Sequence, residues 1–483
     1  MTQPCAAEII RSTHAASVEP RQNKPWILAV AVLGSTMAYV DESVVNVALP
    51  KIQADLHTSL ASMQWVINAY TLCMSALLLI GGAAADQFGR RRLFLTGITV
   101  FALASIACGV APNAALLIGS RAIQGVGAAL LIPCSLAIIG AAFDARERGT
   151  AIGIWSAAGA LAGGAGPLLG GLLIDHWSWR ASFLINPFIA IPTVWIAVRR
   201  LPESVDSAAR PGLDWRGAVL VFAGLGSLVY GLISAATLGW RDVTIIGTLI
   251  AGALLLCAFV LEEQRTPAPM LPLALFRSAS FSGVNLLTLF LYGALGGAFF
   301  FLPFVLIKAH GFSATAAGAV YVPFTLVVAV LSRWSGGLAD RFGARWPLIV
   351  GPVVVAVGFA WLAALAGEQR YWIYFGPMLV LGLGMAITVA PLTTTVLNSV
   401  NDGDTGIASG INNVVAAAAG LLVVALVGTL VTNSLVSTAR VVMATAAALA
   451  LVSAGVAALM LPPRDQAAAA ATGDLRPDQG PTS

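Results

Sequence analysis

The chain has 483 residues, 58% hydrophobic and only 10% charged, with a formal net charge of +4 and a mean hydropathy of +0.87. Soluble domains carry about 25% charged residues, so this composition excludes a soluble protein with an anchor and leaves a polytopic membrane protein. Lys24, Lys51 and Lys308 are the only lysines, and no Gly-Lys-Ser or Gly-Lys-Thr occurs, which excludes a Walker loop and a built-in ATPase motor.

A membrane span needs about 20 apolar residues. After a polar tail over 1–25, with no secretory-signal pattern, the sequence predicts an all-α integral membrane fold of fourteen spans. They lie near 26–48, 62–84, 93–111, 115–141, 149–173, 181–199, 215–236, 243–261, 281–305, 314–334, 346–366, 372–396, 407–431 and 439–461. Their spacing predicts a six-helix N-terminal half over 26–199 and a linker with two additional helices over 200–261. A second linker over 262–280, a six-helix C-terminal half over 281–461 and a disordered tail over 462–483 complete the 6 + 2 + 6 arrangement.

Charge placement sets the expected orientation. With a cytoplasmic N-terminus, only Lys51, Arg180, Arg241, Lys308, Arg370 and Arg440 fall outside and Arg121 falls within a span, while the remaining basic residues lie inside. That asymmetry, with an even number of spans, predicts a plasma or inner membrane protein with both termini cytoplasmic.

Two acidic residues break the apolar pattern. Asp41 and Glu42 lie deep in the first span, and a carboxylate in hydrocarbon costs several kcal/mol unless it is neutralised, paired or hydrated. Proton binding is the simplest neutralisation, so the pair points to proton-coupled transport. Arg121, in the fourth span, is expected at a depth where it could meet Asp41 or share a water-filled cavity with it. Glu42 lies about 100° around the helix from Asp41; binding a cation, carrying a second proton and being a protonated bystander all stay open. His14, His57, His176 and His310 fall in tails or outer loops.

The fifth span carries Gly163, Gly164, Gly166, Gly170 and Gly171 with Pro167 among them, a small-residue pattern that permits close backbone approach. There is also an internal repeat. Gly82, Asp86, Gly89 and Arg90 recur in spacing as Gly336, Asp340, Gly343 and Ala344, each set following an outside-to-inside span. Two halves of like topology match the plan of transporters in which substrate binds near mid-membrane between rocking halves. The C-terminal half has no mid-membrane carboxylate. Its polar candidates include Asn285, Tyr292, Asn412 and Asn413, and Phe299, Phe300, Phe301 and Tyr321 are candidates for an apolar pocket.

Five runs in order carry a family resemblance: Asp41 to Pro50, Gly82 to Arg92, Leu117 to Gly127, Gly163 to Gly171, and Trp179-Arg180 with Phe183 to Asn186. Together they resemble the 14-span drug–proton antiporter branch of the major facilitator superfamily, the QacA/EmrB-like multidrug efflux family. The resemblance implies a proton-relay role for Asp41 and Arg121, with Glu42 at a position that varies in the family. It implies an outer seal at Gly163, Gly166, Pro167, Gly170 and Gly171, and an inner gate at Gly82, Asp86, Gly89, Arg90, Asp340 and Gly343. Asn46, Gln124, Asn285 and Tyr292 are the expected substrate-cavity residues. The expected activity is export of hydrophobic small molecules driven by the proton gradient, with no metal and no other cofactor. The expected partners are substrate, protons and the lipid bilayer, not nucleic acid; whether a periplasmic adaptor takes part stays open. A metabolite importer of the same fold and, more remotely, a non-transporting membrane sensor are the alternatives. Without in-span His, metal-ligand spacing or a nucleophile constellation, an enzyme is not expected.

Overall fold

A computed structural model describes residues 23–205, 212–267, 269–401 and 404–462; the side chains of 145, 332–333 and 336–342 also lie outside the described residues. Residues 1–22 and 463–483, most of the two expected tails, are therefore not described.

Among the described residues, fourteen helices are long and apolar enough to cross a membrane. They are α1 Lys24–Asp55, α2 Leu60–Phe88, α3 Arg90–Gly109, α4 Ala114–Ala142, α5 Ala145–His176, α6 Ala181–Arg200, α7 Trp215–Leu238 and α8 Val243–Arg265. After a 3₁₀ turn at Leu273–Arg277 follow α9 Ala279–Phe304, a two-piece α10 (Ala314–Ala319 and Val322–Phe342), α11 Arg345–Leu365, α12 Phe375–Asn398, α13 Thr405–Val427 and α14 Leu435–Met460. Each coincides with one expected span. Local chemistry explains many of the starts. Ser59, Asn113, Asp144, Asp214, Asp242, Ser278, Ser313 and Ser434 each accept a first-turn backbone N–H that the helix leaves unpaired.

α1 is longer than its apolar run. It continues through Pro50 to Asp55, where Trp179 Nε1 and Arg180 Nη1 donate to Asp55 Oδ2 at 2.8 and 2.9 Å. Contacts from the α5–α6 turn thus hold a last turn that hydropathy does not mark.

Helices α1–α6 pack mainly on one another, as do α9–α14. α7 and α8 form a hairpin with Gly224 and Gly252 at its crossing, and α7 lies against both α2 and α13. An even number of crossings puts residues 23 and 462 at one end of the bundle, here the near end. At the opposite, far end the two groups of helices meet closely. Val45, Leu49 and Ile52 of α1 share one apolar core with Phe300, Phe301 and Phe304 of α9 and Val424 of α13. Asp175 at the end of α5 accepts from the backbone N–H groups of Ala314 and Thr315 at 3.1 and 2.7 Å, and Lys308 donates to Gln53. Gln64 of α2 donates to the carbonyls of Val424 and Ala425 at 2.6 and 3.1 Å.

At the near end, Lys24 joins Glu147 at 2.6 Å, and Arg90 donates to Asp86 from two nitrogens at 2.7 and 3.0 Å. The carboxylate that caps α3 is Glu203: it accepts from the N–H groups of Arg91 and Arg92 at 3.0 and 3.2 Å. Gly89 makes the sharp entrance to α3 at φ 106°, a conformation that disfavours any residue with a Cβ. Glu203→Ala should therefore uncap α3 and lower stability by about 1 kcal/mol, read as a lower unfolding midpoint of the purified protein in detergent. An unchanged midpoint would show that the cap does not contribute.

Candidate functional site

The first helix has two faces. Leu28, Val32, Thr36, Tyr39, Glu42 and Asn46 are partly exposed and recur every three or four positions, one stripe of a helix. The stripe stops at Asn46, and residues 47–50 are all buried. α1 is flanked by α4, α5 and α6 and, across the groups, by α9 and α10. Its stripe therefore borders an internal cavity that ends short of the far end. α9 shows the same pattern: Leu289, Tyr292, Gly296 and Phe299 are partly exposed, then 300–306 are buried. Phe299 stands edge-on to Tyr321 and Phe324 at 5.1 and 5.3 Å between ring centres, where the cavity closes. On the near-end part of α5, a Cβ added at Gly149 or Gly153 would meet only open space.

Asp41 points away from that stripe and is 0% exposed. Its Oδ2 accepts from Arg121 Nη1 at 2.5 Å. Its Oδ1 accepts from Gln124 Nε2 and from Asn186 Nδ2, both at 2.8 Å. Gln124 also accepts from Arg121 Nη1 at 2.8 Å, and Gln124 and Asn186 both donate to Ser105 Oγ, at 3.1 and 2.8 Å. Arg121 Nε donates to the Val66 carbonyl at 3.1 Å, and the guanidinium lies 4.2 Å from the centre of the Tyr70 ring. Side chains from α1, α3, α4 and α6, and a carbonyl and a ring from α2, thus close one polar cluster inside the first six helices. Close helix approach makes this possible: Gly125 of α4 lies against the Tyr70 backbone carbonyl, where a Cβ would come within 2.3 Å. Arg121 Nη2, Asn186 Oδ1 and the Tyr70 hydroxyl are buried without a hydrogen-bond partner.

Of the residues singled out in the sequence, Asp41, Arg121 and Gln124 come together here. Asp41 is set well inside α1: fourteen helical residues follow it, about 21 Å at 1.5 Å each. Glu42 does not join the cluster. It lies on the cavity stripe, and no hydrogen bond or ion pair to its carboxylate occurs among the described residues. Asn46, on the same stripe, donates to the Glu42 backbone carbonyl at 3.2 Å. Asn285 is instead bonded to Asn412, which also reaches Thr288, in a separate group between α9 and α13. Tyr292 lies on the α9 stripe, whereas Phe300 and Phe301 belong to the far-end core.

The fifth-helix glycines fall into two sets. Gly166 and Gly170 sit against Ser43 and Val44 of α1; Gly164 and Gly171 sit against Thr325 and Ala314 of α10, and Gly318 of α10 sits against the Pro167 carbonyl. Gly163 meets nothing within 4 Å, so the cross-group approach uses Gly164 in its place. Gly82 makes only ordinary contact with Pro133, Gly343 ends α10 at φ 75°, and the Asp340 side chain lies outside the described residues. Ser105 and Tyr70 carried no sequence signal, being single polar groups in apolar helices. Asn186 was visible only as a member of the run at the start of the sixth helix.

Known proteins agree with this architecture. The family description of the Major Facilitator Superfamily matches residues 31–423. The chain belongs to that superfamily and is a multi-pass membrane transporter rather than an enzyme. It falls in the drug-efflux branch. It is 34% identical to the tetracenomycin C resistance and export protein of Streptomyces glaucescens, covering 85% of this chain and 77% of that one. It is 38% identical to the cephamycin export protein CmcT of Amycolatopsis lactamdurans, with 80% of each covered. The puromycin resistance protein pur8 of Streptomyces alboniger is 35% identical, over 87% of this chain and 84% of its own. Among solved structures, the POT family transporter PepTSo superposes with a TM-score of 0.69 at 16% identity, over 92% of this chain and 98% of that one, a likeness of fold.

Proposed function

We propose that this protein is a proton-coupled exporter of hydrophobic small molecules, neutral or cationic, working in the plasma or inner membrane with both termini in the cytoplasm. The observation that carries the coupling is the fully buried Asp41–Arg121 pair behind the cavity-lining face of α1. Relatives named for antibiotic resistance and export support the direction and the kind of cargo over the importer reading.

A buried ion pair is held only while both charges are compensated. Protonating Asp41 removes one charge, yet Arg121 keeps the Val66 carbonyl, Gln124 Oε1 and the Tyr70 ring as partners. The pair can therefore let go without leaving the guanidinium stranded, and α1 becomes free to move against α4 and α6. Because α1 also forms part of the far-end core with α9, that freedom reaches the interface between the groups. In the arrangement described, substrate enters the cavity from the near end, and the α5–α10 contact closes the far end. Glu42 supplies a negative charge on the cavity wall, which suits cationic cargo. The proton gradient is the only driving force the reading needs, with no metal or other cofactor and no nucleic acid; the reading leaves a periplasmic adaptor open.

The test is efflux of a lipophilic cationic dye from cells expressing the protein, with and without a protonophore. Active efflux that collapses when the proton gradient is discharged is the expected result. Efflux that continues at full rate without a gradient would exclude proton coupling.

A further inference from the structure

Beyond the Asp41 cluster, one other pair of carboxyl groups is buried together among the described residues, at the near end of the α7–α8 hairpin. Asp214 at the start of α7 is 9% exposed and Glu263 near the end of α8 is 4% exposed. Each spends one oxygen on a backbone donor: Asp214 Oδ1 accepts from Gly217 N at 2.8 Å, and Glu263 Oε2 from Leu271 N at 3.0 Å. The other two oxygens, Asp214 Oδ2 and Glu263 Oε1, are buried with no donor. They also converge, since a single point, the place of a Cβ on Gly217, lies 2.5 Å from the first and 2.9 Å from the second. Two carboxylate oxygens are both acceptors and cannot satisfy each other, and like charges so close repel strongly in a medium of low polarity. One hydrogen between them satisfies both.

We propose that Asp214 and Glu263 form a second proton-binding site, a carboxyl–carboxylate pair that shares one proton and pins the α8–α9 connection to the start of α7. The remaining charges around it leave that need unmet. On α7, the exposed Arg216 turns to the half-buried Glu262 of α8 at 3.6 Å. Arg265 of α8 lines, with Asp214, Arg216 and Glu262, an adjoining cleft of about 690 Å³ that opens a path for solvent protons. From the connection, Glu263 receives the Leu271 backbone N–H and no side-chain charge among the described residues. The site is placed to be felt elsewhere. Gln87, in the last turn of α2, donates to the Gly212 carbonyl at 3.0 Å, two residues before Asp214, and α7 touches both groups of helices. Loss of the shared proton sets two like charges against each other at the point where α7, α8 and the α8–α9 connection meet. The site is independent of Asp41, so it stands or falls separately from the coupling reading.

The experiment is infrared spectroscopy and thermal unfolding of the full-length purified protein from about pH 6 to about pH 9. The wild type should show a protonated-carboxyl C=O band that disappears as pH rises, together with a falling unfolding midpoint. Glu263→Gln keeps a donor facing Asp214, so it should lose that band and hold its midpoint level across the range. Asp214→Asn, which retains the cap on Gly217, should do the same, while Glu262→Gln should behave as the wild type. The wild-type spectrum tests the pair even if one variant fails to fold. A wild-type band and midpoint that match Glu263→Gln and Asp214→Asn at every pH would overturn the proposal. So would a pH dependence abolished by added Mg²⁺ or Na⁺, which would make the pair a cation site.

Discussion

Asp41→Asn is expected to reduce protonophore-sensitive dye efflux to the level of cells lacking the protein. Asparagine keeps the size of the side chain and can still accept from Arg121, but it cannot take up and release a proton. Removing one member of a buried ion pair generally destabilises by about 3–5 kcal/mol; here the remaining partners of Arg121, the Val66 carbonyl, Gln124 Oε1 and the Tyr70 ring, should hold the loss below that. Loss of efflux alone would therefore not separate a failed relay from a failed fold. The double variant Asp41→Asn/Arg121→Gln removes both charges and should recover much of the lost thermal stability without recovering efflux. That pattern, at matched membrane levels, is what a coupling role demands. If Asp41→Asn still pumped against a gradient, the exchangeable proton would have to reside elsewhere, with Glu42 on the cavity wall as the next residue to test.

The second large effect is expected at the far end. A Cβ on Gly318 would lie 2.0 Å from the Pro167 carbonyl, and one on Gly171 2.3 Å from the Ala314 carbonyl. Backbone atoms cannot yield as a flexible side chain does, so Gly318→Ala or Gly171→Ala should push α10 off α5. Overpacking of this kind costs about 1–3 kcal/mol, a roughly 5- to 150-fold shift away from the closed arrangement. Spin labels on the exposed residues Trp177 and Glu368, one in each group of helices, would report it in a Cys5→Ser/Cys257→Ser background. Cys73, Cys108 and Cys134 are buried and should not react. The expected outcome is a new population at longer distance, with reduced efflux. An unchanged distance distribution in both variants would show that the contact does not hold the far end shut. Alanine at Gly163, which has open space around it, serves as the control and should change neither readout.

The resemblance to drug exporters and the physical reading of α1 meet at different levels. Relatives at 34–38% identity speak for the kind of molecule moved, whereas the cluster around Asp41 speaks for how movement is powered. The two carboxylates adjacent in sequence illustrate the difference. In the chain Asp41 reads as the proton carrier while the role of Glu42 stays open; the helix turns them by about 100°, so that Asp41 is enclosed by four other helices while Glu42 faces the cavity.

Hydropathy alone determined the fourteen spans, because each must satisfy its backbone within itself in a solvent that offers no hydrogen bonds. The same constraint made Asp41 and Arg121 conspicuous, as charges where charge is expensive. Tertiary structure decided what hydropathy cannot express. It carried α1 past Pro50 to Asp55, since that turn is held by Trp179 and Arg180 rather than by lipid. It recruited Ser105 and Asn186 to the pair, assigned the glycines of α5 to two different neighbours, and brought Asp214 to Glu263 across a hairpin. Each of these depends on which faces meet, and a helix's sequence states its own periodicity but not the identity of the surface opposite.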